Sequence, residues 1–188
     1  IDAGPFTLAR LFGDANQTQT EAVVNVSGNC TDVIVLKNGK PAYMRVVPSG
    51  ADDVSDGIAS ALSISFDDAE RIKNQIGLQN VTGDERLEKA EEVIRETTAQ
   101  LIVGIRNTLN MYDVDHADSP ISGIILAGAG ARLIGLPPVL ASSINKVVRI
   151  GDPFVRFKLS KEVEQQNIVA HAVDLGGVLG LVIGKKPR

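Results

Sequence analysis

The sequence predicts a mixed α/β lobe, and three observations lead to this prediction. Three closely spaced runs of β-forming residues near the start have the pattern of an antiparallel meander, two shorter apolar runs lie further along, and helical periodicity fills the segments between them. Strands and helices in this order pack as a sheet covered by helices. With 188 residues, the chain can bury a sizeable core as one domain or as a large lobe with a small appendage.

The first part of the chain is predicted to form a short helix and then the meander. Asn38-Gly39 marks the turn between the second and third strands, because both residues tolerate a positive φ. The strands are so rich in apolar residues that we expect them to be covered on both faces. In order, these elements are a helix over residues 5–12, a polar connector over 13–20, and strands over 22–26, 32–36 and 42–47.

Helices dominate the rest of the chain. Ser65 and Asp68 form a variant of the capping box, in which Asp replaces the usual Glu, and they predict a helix start. The longest amphipathic pattern predicts a helix from about residue 85 to 112, followed by an acidic loop over residues 112–119. The remaining predicted elements are helices over residues 51–62, 65–77, 137–144 and 165–183, and strands over 121–126 and 147–150.

Composition and charge argue against several classes of function. A net charge of −4 leaves no basic footprint, so nucleic acid is not an expected partner. No apolar run reaches the roughly 20 residues that span a bilayer, so no direct membrane insertion is expected. The single cysteine, Cys30, cannot form an internal disulfide, which suits the reducing cytoplasm. Because the chain opens at Ile1 without an initiator Met, we expect a fragment or a processed product.

A strand followed by a glycine-rich turn is the most informative local feature. The apolar run that ends at Leu126 is followed by Gly128-Ala129-Gly130-Ala131, and a helix can begin near Leu136, where Pro137 and Pro138 suit a first turn. Side chains this small let a ligand approach the backbone, and unpaired amides at a helix start favour a phosphate or a nucleotide. A tight strand-to-helix turn without any ligand fits the same residues.

A second small-residue turn lies about a hundred positions earlier, where the first strand leads into the second. The segment Asn25-Val26-Ser27-Gly28-Asn29-Cys30-Thr31 offers a polar first residue, small residues and a Thr hydroxyl, and such a turn can wrap a phosphate with its amides. An ordinary hairpin loop is the alternative. Because both turns stand at strand ends, we expect them to face one crevice.

Five short motifs occur in order along the chain. They are Asn25, Ser27 and Thr31 in the first hairpin; Pro48-Ser49-Gly50-Ala51 with Ser55; Ala69-Glu70-Arg71-Ile72-Lys73; Gly128-Ala129-Gly130-Ala131 with Leu133-Ile134-Gly135-Leu136; and Asp152-Pro153-Phe154 before a closing helix of small residues. Together they resemble the second half of the actin-like ATPase superfamily, in the group that includes FtsA and, most closely, the PilM family of type IV pilus assembly. No single motif is very specific, but their order and spacing are.

This resemblance implies an actin-like, ribonuclease H-like lobe with a mixed sheet, an antiparallel meander, packed helices and a small helical insertion. Residues 1–20 would be a linker from a first lobe, 21–62 and 84–184 subdomain 2A, 63–83 a reduced subdomain 2B, and 185–188 a tail. The implied cofactor is ATP or ADP with Mg²⁺, bound between two lobes. The residues expected to contact it are Asn25, Ser27, Gly28, Thr31, Gly50, Glu70, Lys73, Gly128, Ala129, Gly130 and Arg132.

The resemblance also implies a scaffold at the inner membrane. A PilN-like cytoplasmic peptide is the expected partner, with its main contact in the other half of the protein, and self-association is a second expectation. The chain would lie in the cytoplasm, peripheral to the inner membrane through these partners. No catalytic residue is assigned, and the full-length protein would be at most a weak ATPase.

Several departures from the family pattern leave alternatives open. Asn25 stands where relatives have the Asp that helps hold hydrated Mg²⁺, and a neutral amide is a poorer partner for a hard cation. Ser27, Ala51 and Ala129 each replace a glycine. A structural assembly module that has lost nucleotide is therefore one alternative, and an FtsA-like division scaffold is another. No metal site is predicted at His116, because no second His or Cys has ligand spacing.

Overall fold

Five strands form one mixed sheet in the computed structural model of the chain, which describes residues 4–14, 16–158, 160 and 175–183. In chain order the elements are α1 (Gly4–Phe12), β1 (Glu21–Val26), β2 (Thr31–Lys37), β3 (Lys40–Val47), α2 (Ala51–Leu62), α3 (Phe66–Ile76), α4 (Glu85–Asp115), β4 (Gly123–Ala127), a 3-10 turn (Ala129–Arg132), α5 (Leu136–Ile144), β5 (Val147–Ile150) and α6 (Gly176–Val182). The predicted first part of the last helix, before residue 175, lies outside the described residues.

The sheet joins an antiparallel meander to a parallel half. Its strand order is β3-β2-β1-β4-β5; β2 is antiparallel to both β1 and β3, whereas β4 is parallel to both β1 and β5. The turn between β2 and β3 has φ values of 53° at Asn38 and 69° at Gly39, as the Asn-Gly pair predicts. Because β1 and β4 are parallel neighbours, their carboxyl ends meet at one edge of the sheet.

Helices cover both faces of the central strands. Alternate residues of β1, such as Val23 and Val24, are fully buried on opposite faces. One face packs against α2, α3, α4 and α5, and the other packs against α1 and α6. The prediction of two covered faces is therefore confirmed for β1, β2 and β4. None of the helices in the described ranges combines the length and the apolar character needed to cross a bilayer.

The same prediction is wrong for β3. This strand lies at the edge of the sheet, and most of its residues are exposed or half-buried, including Val46 at 53 % exposure. Lys40, Pro41 and Arg45 lie along it. Charged residues and proline are typical of edge strands, because they discourage pairing with another chain. Its apolar content alone could not distinguish an edge strand from a central one.

The connection from α4 to β4 differs from the predicted boundaries. The helix continues to Asp115 instead of ending at Tyr112, because Tyr112 is fully buried and its ring stacks on His116 with centroids 4.2 Å apart. The strand begins at Gly123 instead of residue 121, because the Ile121 amide donates to Asp113 Oδ1 at 2.8 Å and so leaves the strand ladder. Tertiary contacts therefore decide both ends.

Asp113 is predicted to contribute strongly to stability at this connection. It binds the Ile121 amide and pairs with Lys146 Nζ at 2.8 Å, and Lys146 in turn donates to Ile121 O at 2.7 Å. We expect Asp113→Ala to lower the free energy of unfolding by about 2–3 kcal/mol in urea denaturation. The change leaves the half-buried Lys146 ammonium without its ion pair and the Ile121 amide without its acceptor. Asp118→Ala, which removes only an exposed ion pair with Lys37, should cost under about 1 kcal/mol. Equal losses would contradict this account.

Candidate functional site

A pocket opens at the end of the sheet where the carboxyl ends of β1 and β4 lie side by side. It lies between the 3-10 turn and helices α2, α3 and α4. Six of the eleven predicted site residues line it: Gly28, Glu70, Lys73, Ala129, Gly130 and Arg132. The other five, Asn25, Ser27, Thr31, Gly50 and Gly128, are not among its lining residues. The structure therefore brings residues of the two small-residue turns to one pocket, and part of the predicted set does not line it.

The glycine-rich turn is pressed against the end of β1. Gly128 has φ 86° and ψ 168°, and a Cβ there would lie well under 3.0 Å from Val26 O. A Cβ on Gly130 would likewise lie under 3.0 Å from the Val26 side chain. These two glycines are needed for close packing of the turn on β1, whereas Ala129 between them is exposed at the pocket.

The hairpin between β1 and β2 is docked on the start of α2. Ser27 O accepts from the Ala51 amide at 2.8 Å, and Gly28 O accepts from the Asp52 amide at 2.9 Å. A Cβ on Gly50 would lie under 3.0 Å from both Ser27 O and Gly28 O, so this glycine too is required by packing. The first amides of α2 are therefore engaged by the hairpin itself.

Several groups that the sequence predicts to hold phosphate are already bonded within the protein. The Ser27 amide donates to Cys30 O at 2.9 Å, and the Thr31 hydroxyl donates to Ser49 O at 2.9 Å. At the start of α5 the expectation of unpaired amides is wrong, because the Leu136 amide donates to Leu133 O and the next two residues are prolines without an N–H. These three positions offer no free donor to a ligand in this conformation.

Asn25 lies directly opposite a carboxylate that sequence reasoning missed. It pairs with Asp32 in the β1–β2 register, and its Nδ2 donates to Asp32 Oδ2 at 3.1 Å and to Ser27 Oγ at 3.0 Å. The Asn38-Gly39 turn could not reveal this neighbour, because it fixes the register of the next hairpin along. The Asn25 side chain thus directs its N–H group, and not an oxygen, toward Asp32, so it is not arranged as a Mg²⁺ ligand. The carboxylate of Asp32, directly opposite, is the kind of oxygen ligand that Mg²⁺ prefers.

Metal binding by this chain alone has no further support. Across the described ranges, no group of three or more His, Cys, Asp and Glu side chains is arranged to hold an ion. Burial and the nearby Asp32 charge raise the pKa of the Cys30 thiol, which keeps it protonated and unreactive. Cys30 is therefore not activated as a nucleophile.

Glu70 and Lys73 form a compact polar network on the wall of the pocket. Lys73 is 4 % exposed, and its Nζ contacts Glu70 Oε2 at 2.5 Å and Ala51 O at 3.1 Å. Glu70 also accepts hydrogen bonds from Ser55 Oγ and Asn74 Nδ2. The pair ties α3 to the start of α2, with Lys73 buried and Glu70 partly exposed.

The network also sets the charge of Glu70. Burial alone raises the pKa of this carboxyl group, but hydrogen bonds from Lys73 and Ser55, the charge of Lys73 and a hydrogen bond from Asn74 outweigh burial and hold the pKa below its ordinary value. Glu70 is therefore ionised at neutral pH, with its charge balanced by a buried ammonium. An ionised carboxylate at a pocket wall can accept hydrogen bonds from hydroxyl groups of a ligand.

The floor of the pocket is more apolar than the sequence motifs suggest. Val54, Leu101 and Leu136 line it, and Thr98 from α4 is the polar residue among them. Nothing in the sequence indicated that these aliphatic residues border a pocket. The pocket lining thus combines aliphatic side chains with charged ones.

A mixed sheet of this order, with helices on both faces and a pocket where its parallel strands end, is the lobe of an actin-like, ribonuclease H-like fold. The chain belongs to the family described as type IV pilus assembly protein PilM, which it matches over residues 4–186. The resemblance inferred from the five motifs is therefore confirmed.

Known relatives and solved structures agree with this membership. The chain is 23% identical over 150 residues to the cell division protein FtsA of Bacillus subtilis, which covers 70% of this chain and 33% of that protein. A structure of a PilM-PilN type IV pilus biogenesis complex has 20% identity and a TM-score of 0.85 over 100% of this chain and 53% of its own. MreB 5 of Spiroplasma citri bound to AMPPNP has 14% identity and a TM-score of 0.69, over 97% and 58% respectively.

The lengths of these proteins differ from that of the chain. The chain spans about half of the PilM chain and about a third of FtsA. At 14–20% identity, the structural likenesses establish the fold and not the ligand.

Proposed function

We propose that this chain is the nucleotide-side lobe of a PilM-type protein that binds ATP between two lobes and scaffolds type IV pilus assembly at the inner membrane. The observation that carries the proposal is the pocket itself, which joins the Glu70–Lys73 network to the turn at Ala129 and Gly130. Its aliphatic lining residues suit a planar base, and its charged ones suit the ribose and phosphates. The structurally similar MreB 5 of Spiroplasma citri is bound to AMPPNP, which supports a nucleotide in this fold.

The roles of the residues follow from their positions. Ala129 and Gly130 would lie beside the base, and the ionised Glu70 would accept hydrogen bonds from ribose hydroxyls. Lys73 would keep Glu70 charged and oriented. ATP with Mg²⁺ would supply its own metal-binding phosphate oxygens, with Asp32 as the carboxylate nearest to position 25. In this proposal residues 21–62 and 84–184 form subdomain 2A, and residues 63–83 form a reduced subdomain 2B.

Nucleotide would act on assembly through closure of the two lobes. A ligand shifts such an equilibrium only by the difference between its affinities for the closed and open states. A PilN-like cytoplasmic peptide is the proposed partner, because the PilM structure of the same fold is a complex with PilN. The chain would then lie on the cytoplasmic side and reach the inner membrane through that partner. This lobe alone is not proposed to hydrolyse ATP.

A structural module without nucleotide is the second candidate, and a specific observation favours it. The Ser27 amide, the Thr31 hydroxyl and the first two amides of α2 are bonded within the protein, and the Asn25 amide donates to Asp32. A scaffold that has lost its ligand would satisfy its polar groups in this way. An FtsA-like division scaffold remains a third candidate on the strength of the sequence likeness.

Calorimetric titration of the full-length protein with ATP, with and without Mg²⁺, separates the first two candidates. The proposal predicts saturable heat at or below millimolar ATP, and a weaker signal for triphosphate without a base. No heat at millimolar ATP would exclude nucleotide binding and leave the structural module.

Restoring a carboxylate at position 25 is expected to weaken the fold unless a cation is present. An Asp there would face Asp32 at hydrogen-bond distance without a donor, so like charges repel and the pKa of the pair rises. We expect Asn25→Asp to lower the free energy of unfolding by about 1–2 kcal/mol at neutral pH, a loss that shrinks as the pH falls and the carboxylates protonate. Mg²⁺ with ATP should restore the stability and bind more tightly than to the wild type.

Asn29→Asp is the matched control for this change, because Asn29 is exposed in the same turn. It adds the same charge without facing Asp32 and should leave stability and Mg²⁺ dependence unchanged. If Asn25→Asp and Asn29→Asp behaved alike in thermal unfolding with and without Mg²⁺, the hairpin would not face the phosphate.

A further inference from the structure

Thr98 of α4 carries a buried hydroxyl that the structure leaves unused. The residue is 1% exposed and lines the floor of the nucleotide pocket, and its Oγ1 has no hydrogen-bond partner within the described part of the chain. An unsatisfied buried hydroxyl is unfavourable, because it has lost its bonds to water without replacing them. Such a group calls for a partner that the protein itself does not supply.

The same helix shows what a buried threonine ordinarily does. Thr108, ten residues further along α4, is 3% exposed, and its hydroxyl donates to Gly104 O at 3.0 Å. This bond to the preceding turn is the usual arrangement for threonine in a helix. Thr98 does not make it.

We propose that Thr98 is a specificity-determining residue, whose hydroxyl forms a hydrogen bond with the edge of the base in the pocket. The inference rests on the proposed function and names a contact from α4, an element outside the five motifs. The surrounding floor is aliphatic, with Leu101 and Leu136 beside Thr98. The pocket would therefore take a planar heterocycle with a polar edge atom, and the ligand would satisfy the hydroxyl that the free protein leaves unpaired.

The test compares ATP binding and thermal stability in full-length variants. Thr98→Val replaces the hydroxyl by a methyl group of nearly the same shape, so it should leave the melting temperature unchanged or raised. The same change should weaken ATP binding by about three- to ten-fold, the worth of one lost hydrogen bond. Thr98→Ser, which keeps the hydroxyl, should bind ATP within about two-fold of the wild type.

Thr108→Val is the matched control. It removes a hydroxyl that is already bonded within α4, so it should lower the melting temperature and leave the ATP affinity unchanged. If the wild type binds ATP and Thr98→Val binds it with the same affinity, this inference alone is overturned. A lowered melting temperature in Thr98→Val would also overturn this inference alone. Absence of ATP binding in the wild type would overturn the proposed function and this inference together.

Discussion

Gly128→Ala is expected to lower the free energy of unfolding by about 3–5 kcal/mol, the largest effect of any single change at the site. Two costs add at this position. The backbone conformation, φ 86° and ψ 168°, is one that only glycine adopts readily, and the new methyl group would press on Val26 O and Asn25 Oδ1. The end of β1 and the turn after β4 would have to separate, which would also deform the wall of the pocket. Urea denaturation measures the loss.

Gly83→Ala is the matched control for the backbone term. Gly83 has φ +90°, but a Cβ there would meet nothing within 4 Å. We expect this variant to lose only about 1–2 kcal/mol, from the strained conformation alone. The difference between the two variants then measures the close approach of the turn to β1. Equal losses would show that this contact relaxes freely, contrary to the packing described for the turn.

Lys73→Met is expected to lower the free energy of unfolding by about 2–3 kcal/mol. Methionine keeps the buried aliphatic stem, but it leaves Glu70 with a charge that has lost its ion pair and leaves Ala51 O without its donor. Lys73 is buried and Glu70 is partly exposed, and removing one partner of such a pair is costlier than removing both, so Glu70→Gln in addition should recover part of the loss.

The exposed ion pair on the same helix is the control for Lys73. Arg71 pairs with Asp68, but its side chain is 74% exposed. Arg71→Met should cost under about 1 kcal/mol in the same denaturation experiment. A comparable cost at both positions would mean that burial of the Lys73 ammonium is not what stabilises the network.

The cost of Lys73→Met is also expected to depend on pH. The pKa of Glu70 is held below its ordinary value of 4.5, so the ionised carboxyl group stabilises the fold above that pH. This contribution disappears as the pH falls through the lowered folded-state pKa. The difference in stability between wild type and variant should therefore shrink below about pH 4.5, and a constant difference down to acid pH would contradict the role given to Glu70.

Local patterns predicted most of the fold. The bounds of α2 and β5 agree with the sequence prediction, because clear turn residues stand at both ends of each element. The edge position of β3 and the last turn of α4 were not predictable in this way. Both depend on tertiary neighbours. In the described ranges no further strand pairs with β3 beyond β2, and Tyr43 and His116 pack around Tyr112 at the end of the helix.

The candidate site was predictable only in part. Motif order placed Glu70, Lys73 and the glycine-rich turn in one pocket. It could not show that the amides of the hairpin are already bonded, since hydrogen-bond partners across a turn depend on the full path of the backbone. Asp32 and Thr98 were missed for a related reason: one enters through strand register and the other through the packing of α4 under the pocket.

Photoaffinity labelling of the full-length protein with 8-azido-ATP, followed by peptide mapping, tests the central claim most directly. We expect label on peptides that contain α3, the part of α4 around Thr98 and Leu101, or residues 128–136, all of which border the pocket, and loss of that label when unmodified ATP is added in excess. Label confined to other peptides, or label that excess ATP does not displace, would contradict a nucleotide site at this edge of the sheet.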